Sequence, residues 1–263
     1  MPTSDPQHIA RYVVDGAARF GRRRDGEFAR LSAAPWEGGR ETGERDRAAS
    51  VKLLAPVVPT KIVCVGLNYR AHIAESVTGA RSGPPPEPLL FLKPPSAVLA
   101  SGEPIRYPEG VTRLDPEGEL AIVIGRRARA VLRERALDHV AGFTCFNDVS
   151  ARNYQKSDGQ WTRAKGFDTF APLGPWMAVG LDAGALAIEC RVNGETRQRG
   201  NTQDLLFPVP ELIRFISSIM TLEPGDVIAS GTPAGVAPVQ VGDRIEVEIE
   251  GIGVLENRVE AGS

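Results

Sequence analysis

The chain has 263 residues, of which 42% are hydrophobic and 24% charged. That length and apolar content suit one large domain, or one large and one small, and exclude a disordered chain or a disulfide-stapled miniprotein. Thirty-one Lys and Arg against 33 Asp and Glu leave a net charge of −2, with no global excess to draw nucleic acid or an acidic membrane face.

Cys64, Cys145 and Cys190 are far apart, with no CxxC. This pattern reads as reduced, buried thiols in a cytoplasmic protein. The uncharged run 227–242 holds two prolines and three glycines and is too short and broken to span a bilayer. The opening MPTSDPQHIARYVVDG has no basic region followed by an apolar run, so a secretory signal is not expected.

In chain order, RYVVDG and GEFARL read as two short strands around a basic turn at Arg22–Arg24, followed by a charge- and glycine-rich loop up to about residue 47. The expected unit is a small β-rich N-terminal domain, 1–56, closed by Pro56-Val57-Val58-Pro59. Residues 57–263 form the second domain. There, short apolar runs alternate with Gly/Pro punctuation: KIVCVG, LLFLK, ELAIVIG, WMAVG, IECRVNGETRQ and DRIEVEIEGIGVLENRVE. Asn193-Gly194 between two alternating runs predicts a tight hairpin. Helices are expected at 70–80, 133–139, 148–155 and 210–220. With 28 glycines, 21 prolines and no βαβ alternation, the class is mainly β, or a β-dominated α+β fold.

Chemistry concentrates in a few places. Glu117 and Glu119 flank the start of ELAIVIG. In a strand, residues i and i+2 share a face, so both carboxylates can aim at one point, where they repel unless a cation or protons intervene. The alternative is that one of them faces solvent. On a helix over 148–155, Asp148, Arg152 and Gln155 fall in one narrow sector. An acid, a cation and an amide together suit a metal beside an anionic substrate, whereas an intrahelical Asp–Arg pair is the plainer outcome. His72 and Glu75 at i,i+3 can meet on one helical turn, where a carboxylate raises imidazole basicity. A surface His–Glu pair has the same spacing. Lys165 is a lone cation suited to an anion or an enolate, or else an exposed loop lysine. In Ser230-Gly231-Thr232-Pro233, Gly231 permits close backbone approach and Thr232 offers an N–H and a hydroxyl to a carboxylate. An ordinary turn reads the same way. There is no GxxxxGK[ST], GxGxxG, GxSxG or HExxH, so nucleotide, serine-hydrolase and zincin chemistry have no support.

The fragments VGLNYRAHIAE, LLFLKPPSAV, DPEGELAIVIG, FTCFNDVSARNYQ, RAKGFDTFAPLGPW, VNGETRQ and DVIASGTPAGV, in this order, resemble the fumarylacetoacetate hydrolase family in its shorter bacterial and mitochondrial-type branch. The resemblance covers about 60–260, and the N-terminal segment resembles the small β domain of many bacterial members. It implies a mixed β-roll core with few short helices, usually a homodimer, and a bound Mg²⁺ or Mn²⁺. By motif position, Glu117, Glu119 and Asp148 would be metal ligands. His72 and Glu75 would be a water-activating dyad on a lid that continues through 76–87, and Lys165 the active-site lysine. Arg152, Gln155, Gly231 and Thr232 would contact substrate.

Three carboxylates without Cys or His agree with Mg²⁺ or Mn²⁺ rather than zinc. A 2-oxo acid chelated there would cleave through a metal-stabilised enolate. The expected activity is hydrolysis of the C–C bond of acylpyruvates such as fumarylpyruvate. Alternatives are oxaloacetate decarboxylation, or isomerisation of 2-hydroxyhepta-2,4-diene-1,7-dioate with decarboxylation of its precursor 5-oxopent-3-ene-1,2,5-tricarboxylate, in aromatic catabolism. A non-catalytic carboxylate-binding domain is the remote alternative. Expected partners are a small 2-oxo acid and a second copy of the chain, with no nucleic acid and no membrane.

Overall fold

The computed structural model describes residues 5–75 and 83–262. The N-terminal part of the expected lid, 76–82, lies outside the described residues. Strands dominate. Five come before residue 56: β1 (Gln7–Val14), β2 (Ala17–Arg24), β3 (Glu27–Leu31), β4 (Glu41–Arg47) and β5 (Lys52–Leu54). β6 (Ile62–Gly66), β7 (Leu89–Lys93), β8 (Val98–Leu99), β9 (Ile105–Tyr107), β10 (Leu114–Asp115), β11 (Gly118–Ile124), β12 (Val140–Asn147) and β13 (Ser150–Ala151) follow. The chain ends through β14 (Ala171–Val179), β15 (Ala187–Val192), β16 (Glu195–Asn201), β17 (Val227–Ala229), β18 (Arg244–Ile249) and β19 (Gly253–Ala261). The α-helices among the described residues are short: α1 (Arg70–Glu75), α2 (Arg152–Ser157), α3 (Thr162–Lys165) and α4 (Val209–Ile219).

One large mixed sheet runs in the order β4-β3-β2-β1-β14-β12-β11-β17-β6-β7, with β5 and β8 attached at its side. A second, five-stranded sheet, β16-β15-β18-β19-β9, packs against it, and β10 pairs with β13. The centre of the large sheet is its most apolar part. Every residue of β11 and β17 is buried, as are four of the five in β6. Strands covered on both faces are expected to read as continuous apolar runs. The β17–β6 pair is parallel, whereas β11 is antiparallel to both β12 and β17. The start of β11 and the ends of β12, β17 and β6 therefore meet on one side of the sheet, and the chemistry-bearing segments leave from there.

The mainly β reading holds, and Asn193 and Gly194, both at positive φ, turn β15 into β16. Several local expectations need correction. Arg22–Arg24 are not a solvated turn but the end of β2. Arg22 and Arg24 are both paired with Glu41, and Arg23 stacks over Trp176 at 4.6 Å. The turns are instead Asp15-Gly16 and Asp25-Gly26, all four residues at positive φ, which is the two-residue hairpin signature. The strand expected at WMAVG begins five residues earlier, at Ala171. It accommodates Pro172 and Pro175 beside a register irregularity against β12, the kind of place where a strand tolerates proline. Residues 133–139 form a 3₁₀ helix. The N-terminal strands extend the large sheet through β1 and β14, and Ile9 and Leu31 share a core with Ala121, Phe146 and Val227.

Candidate active site and metal centre

Glu117 precedes β11 and Glu119 lies within it. The next strand, β12, runs antiparallel with Gly118 opposite Asn147. The chain after Asn147 therefore comes alongside Glu117, and the Asp148 N–H donates to the Glu117 carbonyl at 2.8 Å. One carboxylate oxygen from each of Glu117, Glu119 and Asp148 lies within 4.8 Å of the others. All three residues are at most 5% exposed.

Asp148 reaches this place by a route different from the expected one. It is not on a helix. Ser150 and Ala151 pair with β10, which holds the segment extended, and α2 begins only at Arg152. The i,i+4 Asp–Arg contact does not form. Arg152 donates instead to Asp115 at 2.8 Å, Glu117 at 2.5 Å and the Gln155 amide oxygen at 2.7 Å.

Lys165 closes α3 with its side chain only 2% exposed. Its Nζ donates to Glu117 at 2.8 Å, Asp148 at 2.5 Å and the Ser150 hydroxyl at 2.6 Å. Lys93, at the end of β7, is fully buried and donates to Asp148 at 2.5 Å. Sequence reasoning missed Lys93, Asp115 and Gln198. The signal available for Lys93 was a charged residue ending the apolar run LLFLK, and for Asp115 the first acid of DPEGE.

The charges are unevenly shared. Burial alone would raise the Glu117 carboxyl, but Arg152, Lys165 and His72 outweigh it and hold that group well below the ordinary range. Glu119 makes no direct ion pair among the described residues. Burial, with Asp148 and Glu117 close by, pushes its carboxyl well above the ordinary range, outweighing an N–H bond from Gly231 at 2.8 Å and the charge of Lys165. Three hard oxygen donors, one of them short of a positive partner, fit a divalent cation such as Mg²⁺ or Mn²⁺. Burial lowers Lys93 and would lower Lys165, but Asp148 and Glu117 reverse the direction at Lys165 and raise it.

His72 is on α1, which follows β6. Burial drives its imidazole below the ordinary histidine value, the pull of Glu117 notwithstanding. Its Nδ1 is buried without a hydrogen-bond partner among the described residues. Glu75 does not supply one: its carboxylate accepts the Gly235 N–H at 2.9 Å.

Beyond β17, Gly231 gives its N–H to Glu119, so it braces one carboxylate of the triad directly. Thr232 donates its hydroxyl to the Gly118 carbonyl at 2.9 Å and accepts from Gln198 at 2.7 Å. The hydroxyl is thus engaged within the protein, and the backbone N–H is what Thr232 has to offer a ligand. Gly231 has φ +99°, and a Cβ there would lie 2.8 Å from the Asn68 Cβ. Gly231→Ala is therefore expected to cost about 1–3 kcal/mol and to weaken Mn²⁺ binding by displacing Glu119. Thermal denaturation and a Mn²⁺ titration check both.

A β-rich fold carrying a buried three-carboxylate centre flanked by two lysines and an arginine defines a candidate metal enzyme of anionic substrates. The family signature of the fumarylacetoacetate hydrolase C-terminal domain matches residues 61–260, and an Rv2993c-like N-terminal signature matches 7–56. The chain belongs to the fumarylacetoacetate hydrolase family. It is 42% identical to the oxaloacetate tautomerase YisK of Bacillus subtilis, over 80% of this chain and 74% of that protein. The crystal structure of 2-hydroxyhepta-2,4-diene-1,7-dioate isomerase from Mycobacterium marinum superposes with TM-score 0.89 at 39% identity, covering 97% of this chain and 98% of that one. Maleylpyruvate hydrolase from Sphingobium sp. SYK-6, solved with manganese(II) and pyruvate, superposes with TM-score 0.79 at 31% identity, covering 97% and 100%. Among the described residues no helix is long and apolar enough to cross a membrane.

Proposed function

We propose that this chain is a Mg²⁺- or Mn²⁺-dependent enzyme that moves a proton between the keto and enol forms of a 2-oxo dicarboxylic acid. The observation that carries the reading is the buried His72 imidazole, within electrostatic reach of Glu117, whose Nδ1 has no hydrogen-bond partner among the described residues. When bound, the divalent ion supplies Lewis acidity at the carboxylate and 2-oxo oxygens of such a substrate. Lys165 and Arg152 face the same space as cations and counter the negative charge that builds up as a C3 proton leaves. His72 Nδ1 takes that proton from C3 and delivers it to the 2-oxo oxygen to give the enol, and carries it the other way in the reverse direction, so no water is consumed. Arg152 is held in place by Asp115, and Thr232 by Gln198.

Hydrolysis of an acylpyruvate is the second reading. It is supported by the likeness to maleylpyruvate hydrolase and by Glu75 lying one helical turn from His72. It requires Glu75 to leave the Gly235 N–H and turn to His72, so that the pair can deprotonate water. Decarboxylation of oxaloacetate would use the same enolate without that pair.

A spectrophotometric panel of oxaloacetate, acetylpyruvate, fumarylpyruvate and the heptadienedioate, with Mn²⁺ or EDTA, tests these readings. Fast, EDTA-sensitive decay of oxaloacetate enol absorbance, with no carbon dioxide and no acylpyruvate cleavage, is the expected result. Stoichiometric pyruvate from the acylpyruvates would put the hydrolytic reading first. Turnover undiminished by EDTA would overturn the metal assignment. We further propose a cytoplasmic homodimer: the three cysteines are free and buried, and light scattering reads the mass.

A further inference from the structure

Two buried lysines grip one carboxylate. Lys165 Nζ donates to Asp148 Oδ2, and Lys93 Nζ to Asp148 Oδ1, each at 2.5 Å. Their remaining partners differ in kind. The other acceptors of Lys165 are side chains, the Glu117 carboxylate and the Ser150 hydroxyl. Two of its three partners thus belong to the carboxylate triad, and a cation seated there would compete for them. Lys93 instead has a main-chain anchor, the Val149 carbonyl at 3.0 Å, which no cation in the triad would claim. Its side chain is 0% exposed, and its strand position opposite Ile62 fixes where the ammonium emerges.

We propose that Lys93 is a positioning residue of the metal centre. It ties Asp148 Oδ1 to the backbone at Val149, so that Oδ2 is the oxygen presented to the ion, while Lys165 is the lysine that changes partners when the ion binds. A ligating carboxylate held by an outer hydrogen bond loses fewer conformations on binding, and removing such a bond commonly weakens metal affinity by about 10- to 100-fold. The assignment rests on the reading above that a divalent ion occupies the triad.

Calorimetric titration of Mn²⁺ into the full-length wild type, Lys93→Met and Lys165→Met tests it without reference to turnover. Lys93→Met is expected to raise the Mn²⁺ Kd by about 10- to 100-fold, and Lys165→Met to leave the Kd unchanged or lower it. A Lys93→Met protein that melts cooperatively and binds Mn²⁺ like wild type overturns the proposal, as does an equal loss in both variants. A wild type that binds no Mn²⁺ overturns the underlying metal reading instead. If Lys93→Met does not fold, Lys93→Arg is measured by Mn²⁺ electron paramagnetic resonance. The longer donor should shift Asp148, distort the bound-ion spectrum and raise the Kd, and an unchanged spectrum and Kd would overturn the proposal.

Discussion

Glu119→Gln is expected to abolish divalent-metal binding and turnover while leaving the metal-free protein at least as stable as wild type. Glu117→Ala is expected to abolish the same functions and to destabilise the fold. The contrast follows from the partners of the two carboxylates. Glu119 is buried beside Asp148 and Glu117, with one N–H bond from Gly231 for compensation. An isosteric amide keeps that acceptor and cannot ionise beside the other two carboxylates. Glu117 neutralises Lys165 and Arg152, and deleting it leaves both cations short of a partner. Breaking a buried pair costs about 3–5 kcal/mol, and the lower end applies because Arg152 is partly exposed and keeps Asp115.

The pH dependence has a definite sign. The Glu119 carboxyl is raised in the folded state, so its contribution to metal-free stability is complete below the unfolded carboxylate value and is lost as pH rises through the folded one. Glu119→Gln removes that loss on rising pH. Mn²⁺ binding by the wild type should also release a proton, seen as a calorimetric enthalpy that varies with the ionisation enthalpy of the buffer. Tight Mn²⁺ binding by Glu119→Gln would remove Glu119 from the ligand set.

How much of this was legible in the sequence depended on whether the signal was local. The Glu117–Glu119 pair could be read because strand periodicity alone puts both on one face. For Asp148 the local pattern predicts helical geometry over 148–155, whereas pairing of Ser150–Ala151 with Leu114–Asp115 holds the start of that segment extended. A contact across 35 residues leaves no local pattern. For the same reason Lys93 looked like the end of an apolar strand, although its ammonium meets a carboxylate 55 positions away. The N-terminal turns are a different case. Asp15-Gly16 and Asp25-Gly26 are as strong a hairpin signal as Asn193-Gly194, but the run of arginines between them resembles a solvated loop in composition. Arg22 and Arg24 in fact extend from β2 to reach Glu41, on β4. The resemblance to the family supplied what spacing could not, since it set fragments far apart in sequence side by side.

His72→Ala is expected to leave Mn²⁺ and oxalate affinity near wild type and to lower turnover by about 10²- to 10⁴-fold, the usual range for one general acid–base group. The imidazole is absent from the carboxylate triad, so its loss should spare the first ligands. Because burial holds its pKa below the ordinary 6.5, the proton-accepting form persists at neutral pH. The acid limb of the wild-type rate profile should therefore fall below pH 6.5 and vanish in the variant. The same depression means that the unfolded chain binds the extra proton first, so His72 costs stability as pH drops below 6.5. Glu75→Gln then separates the two chemistries. If Glu75 serves only to dock α1 through the Gly235 N–H, an amide oxygen still accepts that bond, and proton-transfer turnover should survive nearly intact. A collapse as deep as that of His72→Ala would show that Glu75 turns to the imidazole during catalysis, the arrangement hydrolysis requires.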